Sequence, residues 1–226
     1  MDGRVRLSRA AWPLMALGLA VASSLAWGWM GAQGSVMWGW YASFPADASQ
    51  AWRWWSAALV HVNSAHLQAN LWATAVVGAW GWTARVGSAQ ALAWLLAWPL
   101  AQALLFTDTG SLARYAGLSA TLHAGAAIVC WHLLWHSRGA HRAVGAAVTV
   151  AILMKLWLEV PALQQLTAGG NGSAMPPAQP LPDAPGHVVA GHAHGCGVLA
   201  GVAAAALMDG IIEICRQLRP APTEHE

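Results

Sequence analysis

Long apolar runs alternate with short polar connections along this chain. Six runs, at about 11–31, 66–84, 89–106, 118–136, 142–160 and 189–212, have the length that carries a helix across a hydrocarbon core. The pattern predicts an all-α polytopic membrane protein: a six-helix bundle over 11–212, with short flanks at 1–10 and 213–226. Arg4, Arg6 and Arg9 precede the first run, as in a secretory leader. That run exceeds the ~7–15 apolar residues of a leader core, so an uncleaved helix is expected. The 161–188 connection contains "TAGGNGSAMPPAQPLPDAPG" and reads as a flexible loop, suited to act as a lid over whatever lies at that end of the bundle.

Composition agrees with the pattern. Charged residues make up 9% of the chain against about 25% in soluble domains, and mean hydropathy is +0.45. The net charge of +2 is small and no basic run is present, which argues against nucleic acid as a partner and leaves the lipid bilayer. Cys130, Cys196 and Cys215 are scattered through apolar stretches and form neither a disulfide framework nor a metal motif; no metal or cofactor is expected. Most of the 16 Trp read as interfacial belt and packing.

Charge also sets an orientation. If six helices alternate, Arg4, Arg6, Arg9, Arg85, Arg138, Arg142, Arg216 and Arg219 fall on one side. Arg53 and Arg114 fall on the other, and Lys155 lies within the fifth run. The positive-inside rule then puts both termini in the cytoplasm and the 32–65, 107–117 and 161–188 connections outside.

With that orientation, polar residues from three separated helices share one depth near the outer face. Ser119 and His123 lie four apart at the start of the fourth helix, in "RYAGLSATLHAG". His66 and Asn70, in "HLQAN", open the second and share a face at i, i+4. His192 and His194 open the sixth. Polar groups inside a membrane are costly and usually face the bundle interior, so their convergence is the main functional signal.

At these residues the chain resembles the rhomboid family of intramembrane serine proteases. The family's Gly-x-Ser-Gly motif corresponds to Gly117-Leu118-Ser119-Ala120, and its His and Asn four apart to His66 and Asn70. Its Ala-His with Gly at +3 and +7 corresponds to Ala193, His194, Gly197 and Gly201, whereas His192 would put Leu199 at +7. Trp52-Arg53 is similar to a Trp-Arg pair of the family's first outer loop. More narrowly, "GLSATLH" and the compact six-helix form look like the rhombosortase subgroup, bacterial rhomboids associated with GlyGly-CTERM proteins. Ala120 departs from the family's second Gly.

The resemblance implies a Ser-His dyad that cleaves single-pass transmembrane clients near the periplasmic face of the bacterial inner membrane. Ser119 would be the nucleophile and His194 the general base. The Ser119 backbone N–H, His66 and Asn70 would stabilise the oxyanion. His123 stands where the family often has an aromatic residue against the catalytic His. Gly197 and Gly201 would let the fourth and sixth helices approach closely. No carboxylate is expected beside Ser119 or His194. Lys155 and Glu159, i, i+4 in "KLWLE", read as a self-neutralising ion pair, with binding of a substrate terminus or gating as the functional alternative.

Two competing readings remain at this level. One is a catalytically inactive rhomboid homologue that binds membrane clients, for which Ala120 is the best argument. The other is a haem- or metal-binding membrane protein, because His132 and His136 in "HLLWH" share a helix face. That pair lies ~20 Å from Ser119 along the helix, at 1.5 Å per residue. His61 reads as a structural residue of the outer loop.

Overall fold

The computed structural model describes residues 3–35, 40–41, 52–105, 114–159 and 191–218. Among these are seven helices and one two-residue ladder. They are α1 (Gly3–Ser35), β1 (Trp40–Tyr41), α2 (Arg53–Ser56), α3 (Ser64–Thr83), α4 (Ser88–Leu104), β2 (Arg114–Tyr115), α5 (Ser119–His136), α6 (Ala140–Glu159) and α7 (Gly191–Gln217). The 161–188 connection lies outside the described residues, so its reading as a loop and lid is not addressed.

The chain is a helical membrane protein. Three helical segments, Arg9–Trp29, Ala140–Glu159 and His192–Gln217, are long and apolar enough to cross a bilayer. The sequence pattern suggested six such segments. The other three long helices, α3, α4 and α5, are shorter or more polar. α4 has 17 residues, α3 carries His66, Gln68 and Asn70, and α5 carries Ser119, Thr121, His123, His132 and His136. Large apolar side chains such as Leu14, Trp72, Trp135, Val150 and Leu199 point away from the bundle, an outward apolar surface suited to lipid.

α5 is the centre of the bundle. Small and branched residues around its circumference, from Ala120 through Leu133, are buried against α3, α4, α6 and α7. Two tryptophans tie the neighbours together. Trp12 of α1 stacks on Trp94 of α4 with ring centroids 4.5 Å apart. Trp12 Nε1 donates to the Val77 carbonyl of α3, and Trp94 Nε1 donates to the Thr121 carbonyl of α5. Burying an indole with its N–H paired avoids the penalty of an unsatisfied donor in an apolar interior.

The closest approach is between α5 and α7. A Cβ on Gly197 would lie 2.9 Å from the Ala120 carbonyl carbon, and one on Gly201 would lie 2.8 Å from Ala124 Cα. Backbone meets backbone there, so no side chain can move aside. α6 differs from its neighbours: Gly145, against Leu133, is its one buried residue among those described. A cavity of about 70 Å³, lined by Cys130, Trp131, Thr149, Ile152 and Val198 among others, separates the middle of α6 from α5 and α7.

Gly197→Val is expected to force α5 and α7 apart and to cost about 1–3 kcal/mol, read as a lower thermal midpoint in detergent. Gly195→Val is the matched control, because a Cβ there meets nothing within 4 Å, and its midpoint should not fall.

Candidate functional site

The site is organised by a turn that delivers Ser119 to the first position of α5. Antiparallel pairing of Trp40 with Tyr115 and Tyr41 with Arg114 anchors the segment before the turn. Gly117 N–H then donates to the Ala57 carbonyl at 2.9 Å, fixing the turn against the end of α2. Gly117 has φ +119, a conformation that glycine adopts without strain. A Cβ there would also lie 2.6 Å from His66 Cε1 and 3.4 Å from Asn70 Nδ2. The two α3 side chains therefore border the backbone two residues before Ser119.

α3 presents them through its own start signal. Asn63 is the N-cap, its Oδ1 accepting from His66 N–H at 2.7 Å, so the helix begins slightly earlier than the apolar run suggested. Asn70 is 6% exposed and its Nδ2 is buried with no hydrogen-bond partner among the described residues. An amide donor left unpaired inside the bundle carries a desolvation cost, one that Thr121 Oγ1 and His132 Nδ1 also bear. His66 is half-buried, with the His61 ring edge-on at 5.1 Å.

Ser119 does not cap α5. Leu118 occupies the N-cap with no side-chain bond, and Ser119 is the first helical residue, whose N–H has no partner within the helix. Its hydroxyl lies 3.2 Å from Tyr115 Oη. Tyr115 also contacts the Gly117 carbonyl at 3.0 Å and the Ala120 N–H at 3.0 Å. A carbonyl only accepts, so the phenol proton goes to Gly117 and the phenol oxygen accepts from Ala120 and from the Ser119 hydroxyl. Tyr115 was not singled out from the sequence, although it stands four residues before the serine. Turn hydrogen bonds leave no periodic trace.

His194 enters from α7, 9% exposed, with its ring stacked on His123 at 4.2 Å and 21°. His123 Nδ1 donates to the Ser119 carbonyl at 2.7 Å, an assignment required because that oxygen only accepts. His123 thus joins the serine turn to His194. Ser119 and His194 are linked through His123 rather than by a hydrogen bond to each other, and Ser119 Oγ lies within reach of Tyr115. His192 is exposed.

The expectation that no carboxylate accompanies His194 is corrected. Glu159 Oε2 lies 2.7 Å from His194 Nδ1, and Glu159 Oε1 lies 2.5 Å from Lys155 Nζ. Lys155 Nζ is also 2.9 Å from the same His194 nitrogen. The i, i+4 pair of α6 exists, but it is not self-contained. Helix alternation already put Glu159 at the outer end of its run, at the depth of Ser119. The familiar ion-pair spacing concealed the third partner.

At the other end of α5, Asp209 of α7 accepts from Trp131 Nε1 at 2.8 Å and lies 2.9 Å from His136 Nε2. His132 and His136 face each other at 5.5 Å. Among the described residues, no group of three or more His, Cys, Asp or Glu is placed to hold a metal ion. No family model, curated protein or solved structure matches the chain.

Tyr115→Phe should leave the Gly117 carbonyl and the Ala120 N–H without their partner and cost about 1–3 kcal/mol of stability, measured as a fall in thermal midpoint. A second expectation concerns acid. Burial, with a smaller contribution from His66, pushes His61 down from 6.5 to about 4. The unfolded chain then binds more protons than the folded one between these values, so stability falls as pH is lowered through about 6.5 toward 4. His61→Phe should flatten that part of the midpoint-against-pH curve.

Proposed function

We propose that this protein is a rhomboid-type intramembrane serine endopeptidase. The observation that carries the reading is the surround of Ser119. A hydroxyl at a glycine turn has an unpaired buried amide donor and an imidazole on its α3 side, and a second imidazole from α7 on its α5 side. Packing alone gives no reason to gather these groups around one serine inside an apolar bundle. In this reading the six long helices all cross the bacterial inner membrane, both termini are cytoplasmic and the site opens toward the periplasm. The substrates are single-pass membrane clients, including proteins with a GlyGly-CTERM-type anchor.

The chemistry follows from the groups present. Ser119 Oγ leaves Tyr115, turns toward His194 and attacks the scissile carbonyl carbon while the imidazole takes its proton. Such contacts commonly tighten only when substrate is bound. The carbonyl oxygen becomes an oxyanion, met by the Ser119 N–H, Asn70 Nδ2 and His66. Collapse breaks the C–N bond, the imidazolium returns the proton to the leaving amine, and an acyl-enzyme remains on Ser119. Water, deprotonated by His194, releases the acyl group as a carboxylate. Ala120 is compatible with this path, because its N–H is engaged by Tyr115 and its side chain is fully buried.

Cleavage of a tagged client with an outside N-terminal domain should be abolished by Ser119→Ala and by His194→Ala. The double variant should lose no more than either, since members of one catalytic unit are not additive. His192→Ala should keep most activity. Cleavage that survives Ser119→Ala in a host without other rhomboids would overturn the assignment. Failure of the wild-type serine to react with a fluorophosphonate would favour an inactive homologue. Asn70→Ala should lower turnover by ~10²–10³ with an unchanged thermal midpoint; unchanged turnover would make Asn70 interhelical glue.

A further inference from the structure

We propose that Glu159 is a positioning residue that holds His194 in the Nδ1-protonated tautomer, in competition with Lys155. The proposal rests on the protease reading for its consequence, but its structural core stands on three distances. Glu159 divides its carboxylate, with Oε1 on Lys155 at 2.5 Å and Oε2 on His194 Nδ1 at 2.7 Å, while Lys155 Nζ reaches the same Nδ1 at 2.9 Å.

Nδ1 can serve one of these partners only. A carboxylate has no proton to give and an ammonium has no lone pair to accept with. If Nδ1 carries the proton, it donates to Glu159 and leaves the Nε2 lone pair free to take the Ser119 proton. If Nδ1 accepts from Lys155, the proton sits on Nε2 and the imidazole cannot act as a base toward the serine. The two arrangements have unequal costs. Lys155 keeps Glu159 Oε1 as a partner in either case. Glu159 Oε2, in contrast, would face an unprotonated nitrogen lone pair at 2.7 Å if Nδ1 accepted from Lys155. Both candidate bonds are charge-assisted, so the choice rests on these unequal losses, which favour the Nδ1–H form. The opposite face of His194 is closed by His123, whose own Nδ1 proton is committed to the Ser119 carbonyl, so it offers no competing donor from that nitrogen.

Lys155 gives the selection its second property. When His194 takes the serine proton, Glu159 stabilises the imidazolium and Lys155 opposes it. Removing Glu159 alone leaves Lys155 as the sole partner of Nδ1 and flips the tautomer. Removing both leaves neither preference. A purely structural ion pair acts on the fold rather than on Nδ1, so it predicts no change of the His194 tautomer when Glu159 is lost.

The test uses the full-length protein in detergent with ¹⁵N-labelled histidine, His194 being assigned by its loss in His194→Ala. Wild-type protein should show the protonated-nitrogen signal at Nδ1, and Glu159→Leu should move it to Nε2. In parallel, Glu159→Leu should lower kcat by ~10²–10⁴, the scale of a base held in the wrong tautomer, with KM unchanged. Glu159→Gln, which keeps an acceptor oxygen, should fall between, and Lys155→Met combined with Glu159→Leu should recover at least tenfold over Glu159→Leu. An Nε2–H signal in the wild type, or an Nδ1–H signal that persists in Glu159→Leu, overturns the proposal. So does a double variant no better than Glu159→Leu. If the wild type cleaves nothing, the protease reading fails, and the ¹⁵N spectra still decide the link between Glu159 and His194.

Discussion

The near-contact of two helix backbones governs this structure. α5 and α7 touch through Ala120 and Ala124 on one side and Gly197 and Gly201 on the other, with no room for a Cβ on either glycine. In a bilayer the hydrophobic effect gives no drive for helices to associate, so close van der Waals packing between small residues must supply it. The same contact sets the site. Gly197 is three residues after His194 and faces the residue that follows Ser119, so any separation that relieved crowding at the glycine would also withdraw the imidazole from the serine turn. Stability and chemistry share one surface.

Around that contact, polar groups are held by short-range commitments. Tyr115 engages three groups of the serine turn, and His123 bonds the Ser119 carbonyl while stacking on His194. Asp209 joins Trp131 and His136 at the far end of the same helix pair. α5 and α7 are thus tied by polar contacts at both ends and by bare backbone between them. The unpaired Asn70 amide differs from the other unpaired buried groups, such as Thr121 Oγ1 and His132 Nδ1, in bordering Gly117 of the serine turn.

Much of the helical architecture was legible because an apolar run of membrane length has few alternatives to a helix. Ends were less so: α3 starts at its Asn63 cap, and α7 continues to Gln217, beyond the apolar run. Apolarity alone also treated all six runs alike, whereas α4 has only 17 residues, and α3 and α5 carry polar residues such as Asn70 and Thr121 into the bundle. Ser119, His66, Asn70 and His194 could be grouped by counting helix crossings, since alternation assigns depth. Glu159 shared that depth but was paired on paper with Lys155, because i, i+4 spacing offers a local explanation that needs no third residue. Tyr115 lay in a turn, where side-chain-to-backbone bonds follow from φ and ψ rather than from any repeat. The 160–190 segment lies outside the described residues, so what covers the outer end of the site was read from sequence only.

The loose seating of α6 leaves its hold on the bundle to few contacts. With Gly145 its one buried residue among those described and a cavity beneath its middle, this helix answers to lipid more than to protein. Its 20 residues span ~30 Å, about the thickness of the hydrocarbon core. Hydrophobic mismatch is relieved by tilt, and tilt about the Gly145 contact displaces the far end most. Lys155 and Glu159 sit at that end. The contacts of Lys155 and Glu159 with His194 therefore hold the end of α6 that its sparse packing leaves least restrained.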